Sequence, residues 1–129
     1  MALATVNRNG LATLRAALTP TTAYVATNEM PTSGAQTTKA IAAAETAMDA
    51  TSIEMFGQGS QDQVNWASLK STADTVSLAT VPAGTLGRIA FVYDTAGFKY
   101  FRAQVKVTGA TGGTLAVYGL KGLADAKGT

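Results

Sequence analysis

Between residues 86 and 120 the chain alternates apolar and polar side chains in three successive runs, a period of two that suits half-buried strands and not helices. In residues 98–108 (FKYFRAQVKVT), Phe101, Ala103, Val105 and Val107 fall on one face, and Tyr100, Arg102, Gln104, Lys106 and Thr108 on the other. Before this run Ile89, Phe91 and Tyr93 alternate with Arg88, Ala90 and Val92; after it Leu115 and Val117 alternate with Thr114, Ala116 and Tyr118. The links 94–97 (DTAG) and 109–113 (GATGG) have the composition of hairpin connections. The three runs are therefore expected to lie together in one sheet of a larger β-domain.

The rest of the chain extends this reading. Strand signals fall at about residues 21–27, 37–45, 51–58, 64–70, 75–80, 87–94, 98–108 and 113–120, separated by turn residues. Residues 52–58 and 64–70 read as a hairpin across Gly59-Ser60-Gln61-Asp62-Gln63. Residues 35–50 are ambiguous: Ser33 and Gln36 could form a capping box before an alanine-rich helix, whereas Thr37, Thr38 and Ile41 favour a strand. The β-rich surroundings decide for strand. The expected fold is all-β, an antiparallel β-sandwich, jelly-roll-like, of about eight strands. A chain of 129 residues suits one domain with a core of its own.

The ends are expected to differ from this body. In residues 1–18, Leu3, Val6, Leu11, Leu14 and Leu18 recur at roughly helical spacing with Arg8 and Arg15 off the stripe. Gly10 would weaken such a helix by about 1 kcal/mol. The division expected is a partly helical N-terminal arm over residues 1–20, a sandwich over 21–121 and a flexible tail over 122–129. An arm of this kind either folds onto its own domain or reaches a neighbour.

Composition removes most chemistry. Without cysteine or histidine the chain lacks thiolate nucleophiles, the commonest metal ligand and the commonest general base near neutral pH. Glu29, Glu45, Asp49, Glu54, Asp62, Asp74, Asp94 and Asp125 are dispersed, and the serines have no histidine to activate them. Asp49 and Asp62 are too isolated to argue for calcium, and residues 109–113 lack the lysine and helix of a phosphate cradle. No enzyme, cofactor or metal is expected.

A net charge of +2 is too small for a nucleic-acid footprint, and the apolar run 11–18, interrupted by Thr13 and Arg15, is too short to span a bilayer. No nucleic acid or membrane partner is expected. Basic residues gather in the last third, where Arg102 and Lys106 share the outward face of one strand. That face is either a solvated surface or a docking surface for an acidic partner. Trp66 is either a core plug or a platform for stacking a sugar.

Two pieces carry a resemblance. Residues 56–69 (FGQGSQDQVNWASL) end a strand in Gly-Ser and continue through a polar turn with Asp62 to Asn65-Trp66; residues 99–107 (KYFRAQVKV) form an aromatic-aromatic-arginine strand. Together they resemble discoidin-like jelly rolls that bind carbohydrate or lipid, and small virion structural proteins of tailed bacteriophages. The missing cysteines, the Gly/Ser/Thr/Ala loops and the Ala/Thr/Gly-rich composition look more like the phage group.

That resemblance implies a homo-oligomeric capsid decoration (cement) protein, made in the host cytoplasm and placed on the capsid surface, with the major capsid protein and itself as partners. The contact residues expected on this reading are Leu3, Val6, Arg8, Leu11, Leu14, Arg15 and Leu18 of the arm, with Arg102 and Lys106 of the sheet. The alternative is a carbohydrate-binding module using Tyr100, Tyr118 or Trp66.

Overall fold

The computed structural model describes residues 3–7, 10–18, 23–33, 35–46, 52–77, 87–109 and 113–123. Among these residues the protein is all-β and has no helix. Its strands are β1 (Leu11–Leu18), β2 (Val25–Ala26), β3 (Met30–Pro31), β4 (Ala35–Thr46), β5 (Ser52–Ser60), β6 (Ala67–Ser68), β7 (Asp74–Ser77), β8 (Gly87–Asp94), β9 (Tyr100–Thr108) and β10 (Thr114–Leu123). They form two antiparallel sheets. One runs β1-β10-β4-β8; the other is built on the β9-β5 pair, with β2 and β3 beside β9 and β6 and β7 beside β5.

The inward faces of both sheets supply the core. Leu14, Ala40, Ala42, Phe91, Tyr93, Leu115 and Val117 come from the first sheet, and Ile53, Met55, Phe101, Ala103, Val105 and Val107 from the second. In β5 and β9 burial alternates residue by residue, as a strand with one face on a core requires. Such packing of two sheets defines a β-sandwich.

β4 resolves the ambiguity in residues 35–50 in favour of strand over its described part. It is flanked by β10 and β8, so its backbone is laddered on both sides. Ala40 and Ala42 point into the core and are almost fully buried, while Lys39 is exposed. Tertiary pairing overrides alanine's preference for helix.

The expectation that the three runs from 86 to 120 share one sheet is overturned. β8 pairs with β4, β9 with β5, and β10 lies between β1 and β4. The link 94–97 therefore carries the chain from one sheet to the other. Thr95 anchors the crossing: its hydroxyl lies 2.9 Å from that of Thr38, both wholly buried, and its N–H donates to the Gln36 carbonyl at 3.1 Å. Gly97 follows with φ +89°, a conformation that costs glycine little. Turn composition specifies a reversal of direction but not which sheet receives the next strand.

The helical arm is likewise corrected. Residues 11–18 are β1, paired antiparallel to β10 from Leu11↔Leu120 to Leu18↔Leu115, with register shifts between Thr13 and Arg15 and between Arg15 and Leu18. These irregularities break strict alternation and leave apolar spacing that imitates a helix. Before β1 the chain turns at Gly10 (φ +83°), where the Leu11 N–H bonds the Asn7 side chain at 3.0 Å. Leu3 makes a parallel bridge with Glu29.

Other boundaries are narrower than expected. The strand expected at 64–70 is paired only at Ala67–Ser68, opposite Gln58 and Gly59, although the hairpin with β5 is present. β2 covers two residues of the 21–27 run, and β7 begins at Asp74, with 78–80 outside the described residues. β10 continues to Leu123; the flexible tail expected from 122 falls otherwise on residues 124–129, outside those described.

Candidate functional site

The outward face of the β9-β5 sheet and the loop at its end hold the richest group of polar and aromatic side chains. Because β5 and β9 pair without a shift, Glu54 stands opposite Lys106, Phe56 opposite Gln104 and Gln58 opposite Arg102. The first and third oppositions are bonded directly. Lys106 Nζ lies 3.2 Å from Glu54, and Arg102 Nε donates to Gln58 Oε1 at 2.8 Å, which also accepts from Gln104 at 3.3 Å. Tyr24 packs on Phe56 with ring centroids 5.1 Å apart, donates its hydroxyl to Glu54 at 3.1 Å and lies beneath the Lys106 ammonium. Burial, then the hydrogen bond and charge of Glu54, push the Tyr24 phenol above its usual range.

At the end of this face the loop after β5 makes a cleft. Asp62 organises the loop: Oδ1 accepts the N–H groups of Val64 and Asn65, each at 2.9 Å, and Oδ2 accepts the Asn65 amide at 2.9 Å. These bonds, led by the backbone N–H of Asn65, hold its carboxyl well below the usual carboxylate range. Ser60 receives the N–H groups of Asp62 and Gln63 and donates to Asp62 Oδ1. Gln63, with φ +62°, turns back to donate to buried Glu29 at 2.7 Å, tying the loop to the body of the domain.

Trp66 emerges from this loop half-buried, with the Arg102 guanidinium 4.4 Å from its ring centroid. Gly59, Ser60, Gln61, Asp62, Asn65, Trp66, Ala67 and Phe98 line an open cleft of about 350 Å³. Phe98 lies against Gly59, where a Cβ would come within 2.6 Å of its ring, and Gln61 bonds the Gly97 carbonyl. The cleft thus joins two aromatic side chains to amides on a hydrogen-bonded frame. No group of three or more metal-ligating side chains occurs among the described residues.

The sequence-predicted contact residues do not form one patch. Leu3 is half-exposed beside Glu29, Val6 packs partly against the core and Leu14 is 1% exposed within it. Leu11 is half-buried opposite Leu120, Leu18 pairs with Leu115, and Arg15 donates to the Leu115 carbonyl at 3.3 Å. Arg8 lies outside the described residues. Arg102 and Lys106 belong to the other sheet, and both charges are engaged there. Gln58, Tyr24 and Phe98 were not anticipated; the outward phase of residues 52–60 was the available signal for Gln58.

No family model matches the chain, and no curated protein matches it. Among solved structures it is similar to the SPBc2 prophage-derived protein YomS, with a TM-score of 0.54 and 14% identity, covering 86% of this chain and 89% of that one. It also matches a CBM4 module (TM-score 0.45, 16% identity, 86% and 68% covered). A third match is a CBM28 module specific for non-crystalline cellulose (TM-score 0.47, 4% identity, 84% and 71% covered). The likeness to YomS supports the β-sandwich fold.

Proposed function

We propose that this chain is a virion structural protein of a tailed phage, a non-enzymatic capsid decoration protein that cements neighbouring major-capsid subunits. The observation that carries the reading is its similarity in fold to a prophage-derived protein over most of both chains, 86% of this one and 89% of the other. In this reading the fold is of the jelly-roll kind and serves as a rigid body, displayed on the capsid surface after synthesis in the host cytoplasm. Repetition over a symmetric lattice makes modest contacts collectively strong, because each bound homo-oligomer restrains several subunits. Of the expected contact residues, Leu3 is exposed, whereas Leu14 is committed to the core. Co-sedimentation with empty, expanded capsids of the encoding phage tests it. Saturation at a fixed lattice stoichiometry is expected; absence of binding overturns it.

The Trp66 cleft favours a second reading, glycan binding. Trp66 and Phe98 line the cleft beside Gln61 and Asn65, and this aromatic and amide lining is the chemistry that grips a sugar ring and its hydroxyls. Titration with a glycan library, followed by the fluorescence of the chain's single tryptophan, separates the readings.

A further inference from the structure

Among the described residues β8 is an edge strand that carries no bulge, no proline and no charge at its centre, the features of sequence and register that keep edges from pairing. Among the described strands it is bonded only to β4, through an unshifted register from Thr37↔Asp94 to Ala44↔Gly87. The other described edges are blunted. β1 carries two register shifts; β2, β3 and β6 are two residues long, and β7 is four. β8 is eight residues long, contains no proline and has an apolar centre, Ile89 to Tyr93, with its only charges at Arg88 and Asp94. It also exposes Val92, 47% accessible, beside Ala90 on the outward face.

We infer that β8 pairs antiparallel with β8 of a second copy of this chain about a two-fold axis at Phe91. The sequence of β8 is complementary to its own reverse. With Phe91 opposite Phe91 on the axis, Arg88 stands opposite Asp94 of the second copy, Ile89 opposite Tyr93 and Ala90 opposite Val92, and each of these last three oppositions occurs twice. Arg88, Ala90, Val92 and Asp94 all lie on the exposed face; with the Arg88 guanidinium turned to the free edge from the Tyr118 ring, 5.3 Å from its centroid, both ion pairs and both Ala–Val contacts form on one side.

A slip of one residue would turn the inward face outward, and a slip of two would remove Arg88 from Asp94. Charge therefore specifies register, while the backbone ladder and coverage of Val92 hold the strands. The two four-stranded sheets become one continuous sheet of eight, and the interface is isologous, as two-fold symmetry requires. The pairing gives the homo-oligomer of the capsid reading a specific interface: a monomer that binds capsids overturns this pairing and leaves the decoration role standing, and a dimer that does not bind them overturns the decoration role and leaves the pairing standing.

The test uses the full chain, whose lack of cysteine makes introduced thiols unambiguous. Light scattering across a concentration series should give a two-chain mass or an even multiple of it. Directly opposed strand residues have the Cα spacing a disulfide needs, whereas residues two positions out of register do not. A mixture of Ala90→Cys and Val92→Cys chains should therefore cross-link on oxidation, faster than either variant alone. Arg88→Glu should lose the dimer while keeping the wild-type melting transition, and Arg88→Glu with Asp94→Lys should restore it. A monomer at every concentration, an odd-numbered oligomer, or a mixture that cross-links no faster than its components overturns the proposal. So does a folded Arg88→Glu chain that remains dimeric.

Discussion

Tyr93 and Phe101 meet in the interior with ring centroids 5.5 Å apart and planes inclined by 40°, one from each sheet. A single short link separates them in the chain, so their contact fixes the crossing at 94–97 from both sides. Tyr93 also lies directly on the backbone of β5 at Gly57, where a Cβ would come 2.5 Å from its ring.

Gly57→Ala is therefore expected to destabilise the fold through overpacking. The methyl group would have to displace a ring held against Phe101, and such forced rearrangements typically cost about 1–3 kcal/mol. Urea unfolding measures the loss. A suitable comparison is Phe101→Ala, which empties the opposite side of the contact and is expected to cost about 3–5 kcal/mol. Wild-type stability in Gly57→Ala would show that the Tyr93 ring is not confined as described.

Tyr93 also predicts an alkaline limit. Burial, followed by the negative charge of Asp74 and a hydrogen bond to it, raises the phenol far above its ordinary value of 10.0. The unfolded chain then loses this proton at a lower pH than the folded chain. The contribution is complete below about pH 10 and is lost as pH rises above that value. Melting temperatures from pH 8 to 11.5 should fall more steeply for wild type than for Tyr93→Phe; identical slopes would remove Tyr93 as the cause.

How far the fold was legible depended on what alternation can encode. It identified the buried faces of β5, β8 and β9, because one face of each lies on the core. It could not assign β8 and β9 to different sheets, since both sheets face the same interior and Tyr93 and Phe101 read alike. β1 was disguised by its register shifts, which left Leu11, Leu14 and Leu18 at helical spacing. The outward phase of Arg102 and Lys106 was visible, but Gln58 opposite Arg102 and Glu54 opposite Lys106 follow from a pairing of distant segments. The sequence around Trp66 suits a core plug or a platform; the side chain is half-buried, stacked on Arg102 and lining the cleft.

The placement of β1 changes what an N-terminal truncation means. Removing residues 1–18 deletes a sheet strand, exposes the outer edge of β10 and takes Ala12 and Leu14 out of the core. Loss of the cooperative thermal transition, or a large fall in its midpoint, is expected before capsid binding is considered. Leu14→Ala is the milder version, at about 2–5 kcal/mol by chemical denaturation. If the truncated chain melts like wild type, residues 11–18 are dispensable and the sheet does not depend on them.

The loop that carries Trp66 should respond to acid through Asp62. Its carboxyl is depressed because the charged form accepts the N–H groups of Asn65 and Val64 and the Asn65 amide. The stabilisation is present above the unfolded carboxylate value of 3.8 and is lost as pH falls through the lower folded value. Acid should therefore loosen residues 62–65 locally and move Trp66 away from Arg102. Asp62→Asn keeps the oxygen acceptor but removes the charge, whereas Asp62→Ala removes both. The Val64 and Asn65 amides should exchange faster in Asp62→Ala than in Asp62→Asn, and Trp66 emission should shift to the red at neutral pH. Unchanged exchange and emission in Asp62→Ala would mean that Gln63 on Glu29 and the Ser60 hydroxyl hold the loop without the carboxylate.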